Sequence, residues 1–217
     1  MKELFGTRSE GNVLLLRHGH TRPGQVWRYT GQREVPLTSA GREQARQWAQ
    51  NLANRGISSI WSSPLGRCLE TSHILGQALK ADVQTEAALK EIDLGEWEGL
   101  TKDDVRRRYP GAYEERGKDM AGYRPPQGES FQDLLERVLP FARQCLESRA
   151  LTLAVTHAGV IRVLSCWAEQ KPIQRLFDFS PAPGSMCVIE QKGKRVKLIQ
   201  TCPGIADRKH ILTCCFV

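Results

Sequence analysis

The sequence lacks any long hydrophobic run. No apolar stretch approaches the roughly 18–20 residues that a membrane-spanning helix needs. Residues 1–12 are polar and lead straight into a short apolar run, which is not the pattern of a secretory signal peptide. We therefore expect a cytoplasmic protein with no membrane partner.

The sequence also lacks the cysteine pattern of a secreted protein. Its seven cysteines are odd in number and irregularly spaced, which favours reduced thiols over a disulfide framework. The adjacent pair Cys214 and Cys215 could bind a metal or carry a modification, and the sequence does not decide between these roles and none. No other group of residues has metal-ligand spacing, and no P-loop or dinucleotide fingerprint is present. These absences predict an activity that needs no metal and no bound cofactor.

Acidic residues are fewer than basic ones. The 217 residues include 24 Asp and Glu against 31 Lys and Arg, for a formal net charge of +7. This excess favours anionic partners, although a basic protein without a special partner would look the same. The arginines form no long basic run, and neither zinc-finger spacing nor an RNA-binding signature is present. We therefore expect a small phosphorylated substrate and no nucleic acid.

Short apolar runs alternate with amphipathic segments. The predicted strands cover residues 13–16, 57–62, 83–85 and 151–156, with a late hairpin at 185–190 and 196–200. The predicted helices begin near residues 38, 63, 101, 130 and 160, and residues 111–128 are expected to form a loop or lid. This alternation predicts an α/β fold, a three-layer α/β/α sandwich with a mostly parallel central sheet. We expect one domain over residues 1–217, with its core at about residues 12–200.

Two of the predicted strands end in a histidine with a glycine close behind. His18 precedes Gly19, and His157 lies two residues before Gly159. Ligands bind outside the carboxyl ends of strands in open α/β sheets. One such histidine would more often be an ordinary loop residue, but two at equivalent strand ends favour a shared site. Neutral imidazole is also a competent nucleophile near neutral pH.

Two arginines accompany these histidines. Arg17 is adjacent to His18, and Arg67 lies near the start of a helix that follows a strand. A phosphoryl group needs several positive or donor groups for its oxygens, and the planar guanidinium suits them well. Helix N-termini also favour anions. Either arginine alone would more often be a solvated surface charge, but the set indicates an anion site.

With these histidines and arginines in place, the sequence resembles the histidine phosphatase superfamily, which is also called the phosphoglycerate mutase-like family. Five blocks follow one another in the family's order: residues 16–21 (LRHGHT), 29–45, 62–71, 89–99 and 156–159. His20 stands where the family often has glutamate, and Glu34 stands where it often has aspartate. The resemblance covers about residues 14–190 and implies the phosphoglycerate mutase-like fold.

The resemblance implies a role for each matching residue. His18 becomes phosphorylated, while Arg17, Arg67 and His157 hold the phosphoryl oxygens. Glu91 donates a proton to the leaving oxygen and later deprotonates the attacking water.

The resemblance also implies substrate contacts at Thr21, Gly31, Gln32 and Ala158. His20 is a weaker candidate for such a contact. Glu96 and Glu98 are rivals for the role of acid on sequence alone.

Three functions remain open. The same residues serve phosphatases and cofactor-dependent phosphoglycerate mutases, but mutases usually carry a longer, basic insertion after the acid block. The short segment between Glu91 and Glu129 favours a phosphatase, and the blocks resemble the α-ribazole phosphatase group. The third possibility is a non-catalytic phospholigand-binding module. It is disfavoured because the full set of expected catalytic residues is present: Arg17, His18, Arg67, Glu91 and His157. We expect substrate specificity in residues 25–28 and 111–128, and a homodimer stays open.

Overall fold

A six-stranded sheet forms the centre of the fold. The computed structural model of the chain describes residues 11–21, 26–57, 59–148 and 150–202. The strands are β1 (Gly11–Arg17), β2 (Ser59–Ser62), β3 (Asp82–Thr85), β4 (Leu151–Thr156), β5 (Met186–Lys192) and β6 (Arg195–Cys202). Their order across the sheet is β3-β2-β4-β1-β5-β6. Strands β1 to β4 pair with one another in parallel. Strand β5 pairs antiparallel with β1, and β6 pairs antiparallel with β5. This confirms the predicted mostly parallel sheet.

Helices cover both faces of this sheet. They are α1 (Ser39–Leu52), α2 (Gly66–Leu79), α3 (Lys102–Arg108), α4 (Ala112–Lys118), α5 (Phe131–Glu147) and α6 (Ala158–Ala168). Thr38 caps α1 by accepting a hydrogen bond from the Gly41 N–H, and Ser130 forms a capping box with Asp133 at α5. Both caps lie where the sequence predicted helix starts.

Alternate side chains of β1 enter two separate cores. Val13 and Leu15 pack in the core beneath α5 and α6, whereas Leu14 and Leu16 pack in the core beneath α1 and α2. Successive side chains of a strand point to opposite faces, so a continuous apolar run is what a strand covered on both sides requires. The sheet therefore lies between two helical layers, which confirms the predicted three-layer sandwich.

The prediction of an irregular loop over residues 111–128 was wrong in part. Residues Ala112–Lys118 form α4, which begins after Gly111 at a φ of +82°. The glycines and prolines of the segment suggested a loop, but Gly111 lies just outside the helix and the prolines lie beyond its end. The positive φ of Gly111 lets the chain turn from α3 into a second short helix.

A smaller error concerns the start of α2. The helix begins at Gly66, not at Ser63 or Pro64, and three short 3-10 helices, Ala87–Leu89, Gly95–Trp97 and Ile173–Asp178, were not predicted. The late hairpin is present as β5 and β6. Cys214 and Cys215 lie outside the described residues.

The topology brings the ends of β1 and β4 together. These strands are parallel neighbours, and Arg17 pairs in register with Thr156. The next residue of each strand is therefore a histidine, and the His18 N–H donates to the Thr156 carbonyl at 3.0 Å. The two histidines identified in the sequence thus lie side by side at the carboxyl edge of the sheet.

Candidate active site

His18 and His157 form a buried pair. Their ring centroids are 5.3 Å apart, and both side chains are almost wholly excluded from solvent. Burial, with Arg17 and Arg67 nearby, lowers the pKa of His18 to about 3. Burial and the same arginines also lower the pKa of His157 well below its usual value. Both imidazoles are therefore neutral near pH 7.

The tautomer of His18 follows from one hydrogen bond. Its Nδ1 lies 2.8 Å from the carbonyl oxygen of Gly19. A carbonyl only accepts, so Nδ1 must carry the proton of the neutral ring. Nε2 then keeps its lone pair, which makes it the nucleophilic atom of the pair.

Residues of the β2–α2 connection and of the first turn of α2 orient the ring of His157. Its Nε2 lies 2.8 Å from Ser63 Oγ and 3.3 Å from Cys68 Sγ. The Ser63 hydroxyl can donate to Nε2, which leaves the proton on Nδ1. His157 can then donate a hydrogen bond from Nδ1 while Ser63 fixes the ring.

Arg67 occupies the first turn of α2 and is buried. Its guanidinium donates to the carbonyl oxygens of Gly31 at 2.7 Å and Arg33 at 2.8 Å. No side chain of α2 caps this helix, but the carboxylate of Glu34 accepts from the Gly66 N–H. Glu34 therefore fixes the start of α2, and with it the position of Arg67.

Arg17 has an unused donor. One terminal nitrogen donates to the Pro181 carbonyl at 2.8 Å, but its Nε is buried and has no hydrogen-bond partner among the described residues. Buried polar groups are nearly always satisfied, so an orphaned guanidinium N–H beside His18 indicates a place for an anionic ligand.

The carboxylate of Glu91 lies at the start of α6, the helix that begins next to His157. Its carboxylate accepts from the Gly159 N–H at 3.1 Å and from its own neighbour Ile92 at 3.0 Å. A Cβ at Gly159 would overlap the Glu91 carboxylate, which explains the glycine. The backbone carbonyl of Glu91 is held by Gln32 Nε2 at 3.1 Å and by Arg137.

The structure distinguishes Glu91 from Glu96 and Glu98, the two other candidates for the proton donor. Glu98 accepts three backbone N–H groups, including those of Gln32 and Arg33, and so clamps the loop before α1. Glu96 bonds to the Tyr109 hydroxyl and to Gln127. Of the three glutamates, Glu91 alone lines the cleft that contains Arg17 and Ala158, the chain neighbours of His18 and His157.

This cleft has a volume of about 480 Å³. Arg17, Gly31, Glu91 and Ala158 line it, while His18 and His157 are buried beside it, each next in sequence to a lining residue. Four of the predicted site residues thus share the lining of one cleft, and the two histidines lie beside it.

Thr21 and Gln32 do not line the cleft. Thr21 pairs with Leu37 in an isolated bridge, and the Gln32 backbone N–H is taken by Glu98. His20 is exposed and bonds to Thr38. A substrate contact by these residues stays a prediction.

Sequence reasoning missed several cleft residues. Arg116 of α4, Arg162 of α6 and Lys102 of α3 all line it. Arg162 follows Ala158 by four residues, so helical spacing could have placed it on the same face. Arg116 was not named individually, because its segment was expected to be a loop, although that segment, residues 111–128, was expected to hold substrate specificity.

The described residues contain no group of three or more His, Cys, Asp or Glu side chains placed to hold a metal ion. Within the same residues, no helix has the length and apolar character to cross a membrane.

Comparisons with known proteins show what this chain is similar to. The histidine phosphatase superfamily (branch 1) matches residues 13–202. A probable phosphoglycerate mutase, GpmB, of Salmonella arizonae is 34% identical over 168 residues, covering 73% of this chain and 78% of that protein. The 6-phosphofructo-2-kinase/fructose-2,6-bisphosphatase of Caenorhabditis elegans is 33% identical over 169 residues. That match covers 76% of this chain but only 35% of the longer worm protein.

Two solved structures are also similar. The mycobacterial glucosyl-3-phosphoglycerate phosphatase has a TM-score of 0.75 and 28% identity, covering 89% of this chain and 98% of that one. The α-ribazole phosphatase of Shigella flexneri has a TM-score of 0.77 and 26% identity, covering 86% of this chain and 94% of that one.

Proposed function

This chain belongs to the histidine phosphatase superfamily, and we propose that it hydrolyses the phosphate monoester of a small metabolite through a phosphohistidine on His18, without a metal ion. One observation carries the proposal. His18 is buried and neutral, with Nε2 unprotonated, beside the orphaned Nε of Arg17. A nucleophile and an unsatisfied cationic donor thus lie next to each other at a cleft.

In the first step, His18 Nε2 attacks phosphorus and the ester P–O bond breaks. Glu91, protonated at this stage, gives its proton to the leaving oxygen, so the product departs as a neutral alcohol. Arg17 and Arg67 balance the charge on the phosphoryl oxygens, and His157 donates to one of them from Nδ1.

In the second step, the Glu91 carboxylate takes a proton from a water molecule. The water oxygen attacks phosphorus, the P–N bond breaks and its electron pair returns to His18 Nε2. Inorganic phosphate is released, and Glu91 is protonated again for the next turnover. One carboxyl group therefore acts first as acid and then as base.

Phosphoglycerate mutase is the competing function, favoured by the identity to the Salmonella protein. A mutase would return the phosphoryl group to another hydroxyl of the substrate instead of to water. The short segment after Glu91 and the likeness to two phosphatase structures support hydrolysis. α-Ribazole phosphate is one candidate ester, supported by the Shigella structure.

Replacement of His18 tests the proposal. The His18→Ala variant should lose release of phosphate from p-nitrophenyl phosphate by at least about 10³-fold, because the covalent route is closed. The assay contains EDTA, so turnover of the unaltered protein also tests metal independence. His73→Ala, an exposed histidine of α2, is the matched control and should retain activity. Turnover by His18→Ala near that of the control would refute the mechanism.

A further inference from the structure

The backbone that carries Glu91 is a connection between two short helices. Residues 90–94 join the 3-10 helix Ala87–Leu89 to the 3-10 helix Gly95–Trp97. The N–H and C=O groups of such a connection must find partners elsewhere in the chain, because a connection lacks the regular hydrogen bonds of a helix or a sheet. The groups that bind this segment therefore decide where the Glu91 side chain begins.

Arg137 binds this segment from the second turn of α5. Its terminal nitrogens donate to the backbone carbonyl of Ala88 at 2.7 Å and to those of Lys90 and Glu91 at 3.3 Å. Only 24% of the Arg137 side chain is exposed. A planar guanidinium can hold several carbonyl groups in fixed directions at once, which an ammonium group cannot. One side chain of α5 thus fixes the backbone up to Glu91.

Glu129 orients Arg137 and also binds the segment itself. Its carboxylate accepts from Arg137 Nε at 2.8 Å and from a terminal nitrogen of Arg137 at 2.9 Å, which forms a bidentate ion pair. The same carboxylate accepts from the Asp93 N–H at 3.0 Å, and the Glu129 N–H donates to the Asp93 carbonyl at 2.8 Å. The ion pair therefore holds the backbone on both sides of Glu91.

The ion pair is attached to the helix that packs against α6. Leu134 and Val138 of α5 share one core with Val160 of α6, and all three side chains are fully buried. The Glu91 carboxylate reaches the start of α6, where it accepts from the Gly159 N–H. Glu91 is thus held at its backbone from α5 and at its carboxylate from α6.

We infer that Arg137 and Glu129 are positioning residues for the proton donor, an assignment that rests on the proposed function of Glu91. Neither is among the residues that line the cleft, so both act through the backbone of Glu91. A general acid must lie within hydrogen-bond reach of the leaving oxygen, and a displacement of about 1 Å can slow a reaction by about 10²-fold.

Two conservative variants test the inference. Arg137→Lys keeps the positive charge but cannot hold the carbonyl groups and the carboxylate together, and Glu129→Gln keeps the size of the side chain but removes the ion pair. The probes are p-nitrophenyl phosphate and benzyl phosphate, which are similar in shape, although only the benzyl ester needs a proton for its leaving oxygen. The ratio of kcat/KM for benzyl phosphate to that for p-nitrophenyl phosphate should fall by about 10-fold or more in each variant.

Inhibition by inorganic phosphate separates positioning from general damage to the fold. The inhibition constant should stay the same in both variants, because Arg17, Arg67 and His157 keep their places. A disordered site would instead weaken phosphate binding and slow both esters together. Arg124→Met is the matched control, since it removes an arginine that pairs with Asp133 of the same helix. Its ratio of the two esters should equal that of the unaltered protein.

A double substitution shows whether Arg137 acts through Glu91. In Glu91→Gln the proton donor is already absent, so the addition of Arg137→Lys should leave the ratio of the two esters where Glu91→Gln alone puts it. Residues that act as one unit give such non-additive effects, whereas independent residues give effects that multiply.

The inference would be overturned if both single variants kept the normal ratio, or if Arg137→Lys lowered the ratio further in the Glu91→Gln background. A loss of phosphate affinity equal to the loss of activity, or a failure of both variants to fold, would show a purely structural role and would also overturn it. In each case p-nitrophenyl phosphate turnover by the unaltered protein leaves the proposed function standing. If the unaltered protein hydrolysed neither ester, the proposed function and this inference would both be contradicted.

Discussion

At the scale of single residues, the position of one proton distinguishes His18 from an ordinary buried histidine. The Gly19 carbonyl holds that proton on Nδ1, and burial beside Arg17 keeps the ring neutral. A buried histidine held this way keeps an unprotonated Nε2 over a wide range of pH. The sequence identified His18, but it could not show the tautomer, which depends on the local fold of the backbone.

The effect of replacing Glu91 on the rate of hydrolysis should depend on the leaving group of the ester. Glu91→Gln should slow hydrolysis of an alkyl phosphate by about 10²–10⁴-fold, because a poor leaving group needs a proton. Hydrolysis of p-nitrophenyl phosphate should slow much less, since p-nitrophenolate departs without one. Steady-state kcat for the two esters gives the comparison.

The control for this variant is Glu96→Gln. Glu96 belongs to the same sequence block but contacts Tyr109 and Gln127 instead of the cleft, so both esters should be hydrolysed at normal rates. Equal slowing of the two esters by Glu91→Gln would show that another group supplies the proton.

At the scale of elements, the sequence predicted what local patterns determine. Four apolar residues in succession predicted β1 as a buried strand, and Thr38 and Ser130 marked helix starts through their capping side chains. The sites at the ends of β1 and β4 followed from the same patterns. Periodicity and capping are local properties, so the sequence displays them directly.

Elements fixed by distant contacts could not be predicted. The start of α2 depends on Glu34, which lies about thirty residues earlier in the chain and caps its Gly66 N–H. The helix α4 has seven residues, and its Arg116 lies near the rings of Tyr29, Trp97 and Phe131, which come from distant parts of the chain. Arg116 was therefore not named individually, although it lines the same cleft as Glu91 and belongs to the segment expected to hold substrate specificity.

A contact between two glycines shows how elements set the geometry of the site. A Cβ at Gly19 would overlap the Gly41 carbonyl, and a Cβ at Gly41 would overlap the His20 carbonyl. The loop after β1 therefore packs directly on the first turn of α1. This close approach fixes the backbone that follows His18.

At the scale of the whole molecule, the buried histidines make stability depend on pH. Folding lowers the pKa of His18 to about 3, whereas an unfolded histidine titrates near 6.5. Between these values the unfolded chain binds a proton that the folded chain does not. The free energy of unfolding should therefore fall as the pH is lowered below about 6.5, by at most about 1.4 kcal/mol per pH unit for each such histidine.

Urea unfolding between about pH 6.5 and 4.5 measures this dependence. Because carboxylates also titrate at the acidic end, the comparison of variants isolates the histidine. His18→Gln should lower the pH slope by up to about 1.4 kcal/mol per unit, whereas His73→Gln, with an exposed side chain, should not. A slope that His18→Gln leaves unchanged would show that His18 does not resist protonation.

The most direct test of the account is to isolate the covalent intermediate. The protein is mixed with excess p-nitrophenyl phosphate, quenched in alkali within the first turnover, digested and examined by mass spectrometry. A phosphoryl group is expected on His18, stable to alkali and lost in acid, and absent from the His18→Ala variant. A rapidly hydrolysing protein with no phosphoryl group on His18, or with one on another residue, would contradict the account.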